Sequence, residues 1–207
     1  MLCAVQAAEY QYASDGVTYH RPATLKTSGL VDFEKLSEGR RKLISTALAT
    51  VSNNEWLKYK FGGSDPSAGG FDCSGAMCYV MRAAGHKPPR TSAQQYLWLR
   101  DAGKLTVVRH HPVALGDKVF AKLTPGDLVF WSGTYIPTDG RSVKITHVAL
   151  YLGKEKDGRQ VMVGASKGRS YRGKKGDGYG VYDFRMPGKA SKSRFVGFGS
   201  PPGLRGQ

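Results

Sequence analysis

From Asp32 onward, apolar residues return at helical spacing: Phe33, Leu36, Leu43, Ile44, Ala47, Leu48 and Val51. This predicts one amphipathic helix that ends near Ser52-Asn53-Asn54. A Gly/Ser/Asp/Pro loop runs to Gly70, and Cys73 to Ala84 then reads as a buried helix with Asp72 at its N-cap and Gly85 closing it. Residues 92–101 allow a short helix. After Thr124-Pro125-Gly126-Asp127 the pattern becomes short β-branched or aromatic runs between Gly-rich turns: 128–131, 145–152, 160–165 and 194–198. Helices first and strands later predict an α+β domain built on an antiparallel sheet.

Residues 1–30 are polar and turn-rich and read as an N-terminal arm or extension; 31–200 read as a single domain and 201–207 as a tail. At 207 residues the chain is long enough to bury a core without a disulfide framework or structural metal. It has no run of eighteen apolar residues, so no transmembrane helix is expected. The opening residues Met1 to Ala8 lack a basic region and carry too short an apolar run for a secretory signal. The expectation is synthesis in the cytoplasm without a clear signal peptide.

Charge adds a partner class. Lys and Arg number 31 against 16 Asp and Glu, a formal net charge of +15, which implies that the surface meets something anionic. From Lys154 to Arg194 there are twelve basic residues against four acidic ones. That stretch reads either as a solvated, mobile loop or as a landing patch for a polyanion. No nucleic-acid fold signature accompanies it, and nucleic acid is not expected as a partner.

Two residues carry candidate chemistry. Cys73 opens its helix, where unpaired N–H groups and the helix dipole favour a thiolate. His147 sits inside the apolar run Ile145-Thr146-His147-Val148-Ala149-Leu150-Tyr151-Leu152. Taken alone, each reads more readily as a packed core residue than as a catalytic one. Cys73 and Cys78 stand five apart, offset by about 140° around a helix and about 7.5 Å along it, so they do not pair in a disulfide. With Cys3 the count is odd, leaving at least one thiol free. His110-His111 lacks a carboxylate or thiol at ligand spacing, so no metal and no cofactor are expected.

The company of these residues decides between the readings. Tyr59-x-Phe61-Gly62-Gly63, Gly70-Phe71-Asp72-Cys73-Ser74-Gly75, Pro89-Arg90-Thr91-Ser92, Pro125-Gly126-Asp127-Leu128-Val129-Phe130 and His147-Val148-Ala149-Leu150-Tyr151-Leu152-Gly153 occur in that order. Together they resemble the NlpC/P60 family of papain-like cysteine peptidases that cut bacterial cell-wall peptides. The resemblance implies a fold in which the cysteine-bearing helix packs on an antiparallel sheet that presents the histidine. It further implies Cys73 as nucleophile, His147 as base and the Cys73 N–H as an oxyanion donor. Tyr59 would line the pocket, and Asp72 and Ser74 would contact the free amino group of a peptide stem. Arg90 matches the family's Pro-Arg motif, with a structural role in tying loop carbonyls.

One position departs from the family. The third catalytic residue, usually a histidine before an Ala-Ser pair, is here Gly164, ahead of Ala165-Ser166. Either a Cys/His dyad operates, or another group such as Gln160 or Ser166 orients the base. The loop between Phe130 and His147 and the basic stretch after Gly168 would flank the cleft.

The function expected from the resemblance is hydrolysis of peptidoglycan stem peptides at the γ-D-glutamyl–diamino acid bond. Action would be in the periplasm or cell wall, with the chain delivered into rival bacteria as an effector. An immunity protein and a secretion-apparatus carrier would follow as partners. The competing reading is a catalytically weak, basic module that holds an anionic wall surface with the same fold.

Overall fold

The computed structural model describes residues 11–204; Cys3, the start of the arm and residues 205–207 lie outside the described residues. The chain opens with a hairpin, β1 (Gln11–Ser14) and β2 (Val17–His20), followed by helix α1 (Glu38–Ser52). Three two-residue strands, β3 (Lys58–Tyr59), β4 (Ser64–Asp65) and β5 (Gly70–Phe71), lead into α2 (Cys73–Ala83) and α3 (Ser92–Asp101). Then come β6 (Leu105–Val107), β7 (Leu128–Ser132), β8 (Ile145–Lys154), β9 (Gln160–Tyr171), β10 (Lys174–Asp183) and β11 (Arg194–Gly199). The strands form an eight-stranded sheet in the order β1-β2-β10-β9-β8-β7-β11-β6 and a small sheet β3-β5-β4. This is an α+β fold.

The first predicted helix is shortened at its start: Phe33–Lys35 is a 3-10 turn, and the α-helix begins after Ser37. α2 is capped by Asp72, whose side chain accepts from the Gly75 N–H, and α3 by a capping box between Thr91 and Gln94. The basic stretch predicted as a loop or patch is largely the β9–β10 hairpin, ordered because β10 pairs with β9 along its length and meets β2 at Gly176. Its glycines obscure the strand in the sequence. They exist for close approach: a Cβ on Gly180 would run into Pro22, and one on Gly178 into the Leu57 carbonyl. Residues 11–30 of the segment read as an arm thus lie on the sheet, with Ala23 bridging Val181 and Leu30 bridging Glu155.

Strand alternation sends the sheet's side chains into two cores. Leu128, Phe130, Val148, Leu150, Val163 and Ala165 join the helices in one. Val129, Trp131, Ala149, Tyr151, Met162 and Phe195 form the other, covered by residues such as Val108, Val113 and Phe120. Both faces of β7 and β8 are buried, which explains why these runs are apolar nearly throughout.

The Pro125-Gly126-Asp127 turn is anchored by α1. Arg40 donates to the Pro125 carbonyl (2.6 Å), Asp127 Oδ1 (3.0 Å) and Ser200 Oγ (2.5 Å), while Ser200 donates to the same carboxylate (2.8 Å). The side chains of Arg40 and Asp127 are 12% and 3% exposed, so removing one partner strands the other charge away from water. Arg40→Met is expected to lower the unfolding free energy by about 3 kcal/mol, read from urea denaturation. Asp127→Asn should cost a comparable amount, since it leaves Arg40 without a counter-charge and offers one acceptor oxygen where two are used.

Candidate active site

α2 delivers Cys73 to an open edge of the sheet. The β8–β9 ladder runs from Lys154–Gln160 to Leu150–Val163 and ends there, whereas β8 begins five residues earlier at Ile145 and β9 continues to Tyr171. The Cys73 sulfur occupies the vacated edge. It lies 3.9 Å from the Thr146 carbonyl and faces the Val148 N–H, so it abuts the backbone on both sides of His147. Cys73 belongs to the helix-side core and is 5% exposed, while the His147 ring stacks at 5.4 Å, tilted, against Trp131 of the opposite core. The parted strand edge is where chemistry from the two faces can converge.

Both groups are neutral in this arrangement. Burial pushes the Cys73 thiol up to about 11, and the Asp72 carboxylate adds to the rise; N–H groups of Val148, Ser74 and Cys73 itself oppose it. The first-turn N–H groups favour a thiolate as expected, but desolvation outweighs them. Burial, reinforced by Arg169, holds the His147 imidazole well below its ordinary range, and its Nε2 has no hydrogen-bond partner.

Asp72 is the structural bracket of the site. Its Oδ1 accepts from the Gly75 N–H (2.6 Å), Ser74 Oγ (3.1 Å) and Arg90 (3.1 Å), and its Oδ2 from the Gly62 N–H (3.0 Å) and Arg90 (2.8 Å). Five donors fill the carboxylate. Arg90 also donates to the Gly62 carbonyl (2.9 Å), which fixes the loop before β4 against α2. That contact requires Gly75, where a Cβ would collide with the Gly63 carbonyl. Asp72 and Ser74 thus sit together beside Cys73, already engaged with Arg90.

A cleft of about 920 Å³ opens in front of the parted strands. Tyr59, Phe61, Gly133, Thr134, Tyr135, Thr146 and His147 line one part of it, and Ser166, Lys167, Gly168, Arg169, Arg185, Lys192 and neighbours the rest. Cys73 is not among the lining residues, while Thr146, whose carbonyl its sulfur meets, is. Burial and the nearby Cys73 push the Tyr59 hydroxyl upward, so it stays protonated and can donate. Phe61 and Tyr135 meet edge to face at 6.2 Å over the mouth, Phe61 with 76% of its surface exposed. The loop after β7 is held by Thr134, which donates through its N–H (3.0 Å) and hydroxyl (2.8 Å) to Thr146 Oγ1. The two insertions flagged in the sequence do border the cleft.

The other sequence candidates separate cleanly. Gly164 lies over Ala149, where a Cβ would approach the Ala149 methyl to 3.2 Å, and pairs with Gly180. Ser166 lines the cleft with His147. Gln160 is opposite Lys154, seven residues along β8 from His147, and accepts from the Tyr151 hydroxyl; the structure does not bring it to the site. Cys78 is a free thiol directed at the Pro89 carbonyl (2.9 Å), and His110 sits beside Asp117 at 3.3 Å, both outside the cleft. The residue missed by sequence reasoning is Arg169. Its guanidinium lies 4.2 Å over the Trp131 ring, close enough to influence both His147 and Cys73.

The NlpC/P60 family model matches residues 56–179, more than half of the chain. The chain belongs to the NlpC/P60 family. Two curated relatives come from Bacillus subtilis (strain 168). The bifunctional muramidase/DL-endopeptidase CwlT is 32% identical over 117 residues, covering 56% of this chain and 29% of that protein. A gamma-DL-glutamyl hydrolase is 37% identical over 99 residues, covering 47% of this chain and 18% of that protein. The chain therefore matches less than a third of either relative's length. Among solved structures, an NLP/P60-family protein similar to lipoprotein from Staphylococcus aureus covers 84% of this chain and 43% of its own, at 23% identity and a TM-score of 0.45. The peptidoglycan hydrolase RipB of Mycobacterium tuberculosis covers 81% of this chain and 70% of its own, at 24% identity and a TM-score of 0.42.

A buried thiol held neutral has a kinetic signature. In the ligand-free protein, alkylation of Cys73 by iodoacetamide, followed site by site by mass spectrometry, should rise about tenfold per pH unit from pH 7 to 10. A plateau already reached near neutral pH would reveal a standing thiolate–imidazolium pair instead.

Proposed function

We propose that this chain is a cysteine peptidase that hydrolyses peptidoglycan stem peptides, with Cys73 as nucleophile and His147 as general base. The observation that carries the proposal is the contact of the Cys73 sulfur with the backbone flanking His147, at the edge of a cleft that His147 lines. Family membership and the DL-endopeptidase and γ-DL-glutamyl hydrolase activities in the relatives' names support the same chemistry. They also favour the bond between γ-D-glutamate and the diamino acid.

The thiol transfers its proton to His147 as the sulfur attacks the amide carbonyl carbon. The low basicity of the buried imidazole and the high thiol pKa keep the resting pair neutral, so charge develops only on the way to the tetrahedral intermediate. N–H groups at the start of α2 are placed to receive the oxyanion, and the Tyr59 hydroxyl is a further donor near the sulfur. Collapse breaks the C–N bond while His147 returns its proton to the leaving amine. Water, deprotonated by His147, then hydrolyses the thioester and releases the acyl fragment. With glycine at 164, the Trp131 ring packed on His147 is the contact that fixes the imidazole's orientation.

The free amino group of a stem would enter on the Asp72–Arg90 side by displacing part of that bracket, with Tyr59 and Ser74 beside it. Delivery into rival bacteria belongs to the same proposal, the +15 charge suiting action at an anionic wall. An immunity protein and a secretion carrier are the partners this would require. Directing the wild type to the periplasm of a susceptible strain should then lyse cells, whereas Cys73→Ala should not.

Purified muropeptides incubated with the wild type should yield a new amino terminus on the diamino acid. Cys73→Ala and His147→Ala should each lower the rate by on the order of 10³-fold or more. Wall binding without product from the wild type would instead favour a non-catalytic module.

A further inference from the structure

The part of the cleft beyond His147 carries four cations that the proton transfers do not use. Lys167 and Arg169 from β9, Arg185 after β10 and Lys192 before β11 line it, and no Asp or Glu is among the lining residues. Arg185 is paired with Asp183 at 2.9 Å, and Lys167 lies over the rings of Tyr19 and Tyr12 at 5.0 and 5.9 Å. Arg169 differs. Among the described residues it has no carboxylate partner, and its guanidinium carbon lies 4.2 Å from the centroid of the Trp131 ring.

A backbone irregularity puts Arg169 there. Met162 faces the His147 side of the sheet, so simple alternation would direct residue 168 to that side and 169 away from it. The β9–β10 register breaks between Lys175–Ser170 and Asp177–Lys167, leaving Gly168 and Arg169 opposite Gly176 alone. Gly168 takes a φ of +94°, open to glycine at little cost. This bulge adds one residue and turns Arg169 into the cleft. The Trp131 ring anchors the guanidinium, and among the described residues no hydrogen bond occupies its N–H fork, which suits a two-oxygen acceptor. A mostly enclosed cation without an anion is costly to hold, and a bound carboxylate relieves that cost.

The side of the bond follows from the reaction. His147 protonates the leaving amine, so the leaving fragment extends past His147, towards these cations. We propose that Arg169, supported by Lys192 and Lys167, forms a subsite for a carboxylate on the leaving, diamino acid fragment of the substrate. This rests on the peptidase reading above. The carboxylate has two sources: the fragment's C-terminal α-carboxylate, or a side-chain carboxylate of a diaminodicarboxylic acid.

The test uses three stem tripeptides that end in a diaminodicarboxylic acid: one with both carboxylates free, one amidated at the α-carboxyl and one amidated at the side chain. In the wild type, one of the two amidations should lower kcat/KM by on the order of tenfold or more, mainly through KM. In Arg169→Gln the penalty should fall below about twofold, with Arg169→Lys intermediate. Binding of the same peptides to Cys73→Ala, measured by calorimetry, should show the same preference without any turnover. That separates failure of the subsite from failure of the peptidase assignment. Equal binding and turnover of all three peptides by proteins that retain Arg169 would overturn the proposal, as would an unchanged amidation penalty in a folded Arg169→Gln.

Discussion

The site depends on one contact, the Cys73 sulfur set against a strand edge that no neighbouring strand occupies. β8 is paired with β7 along this stretch, but its ladder to β9 ends at Leu150–Val163. The Thr146 carbonyl and Val148 N–H therefore meet a thiol where a strand would otherwise lie. Everything around the contact serves that separation. Asp72 and Arg90 lock the start of α2 to the loop before β4, Arg40 locks the turn into β7, and the Thr134–Thr146 bonds hold the start of β8.

Burial at this contact sets the chemistry. A helix N-terminus favours a thiolate, but the sulfur is so thoroughly removed from water that its neutral form wins, and the imidazole is driven the same way. Below the ordinary histidine pKa of about 6.5 the unfolded chain binds a proton that the folded imidazole resists. This group therefore withdraws stability as pH falls through that region and contributes none of the change above it.

Much of this was legible in the sequence because local pattern and tertiary role agree. Cys73 follows a capping aspartate and opens an apolar helix, His147 interrupts an apolar strand, and Pro125-Gly126-Asp127 announces a turn into β7. Where the two disagree, the pattern misled. β10 carries Gly176, Gly178 and Gly180 among lysines, so it reads as a loop, yet the glycines are there to let Pro22 and Leu57 approach. β1 and β2 are four residues each and too short to show a period. Arg169 left no signal at all, because its direction depends on a bulge in the β9–β10 register that no spacing within β9 announces.

The most direct test of the central contact is covalent trapping with a stem-peptide chloromethyl ketone, which places an electrophilic carbon where the scissile carbonyl would lie. Intact-mass and peptide mapping should show a single adduct, on Cys73, formed rapidly in the wild type and strongly slowed in His147→Ala. Modification of Cys78 in preference to Cys73, or labelling of Cys73 at the same rate with and without the imidazole, would contradict the pairing of that sulfur with that base.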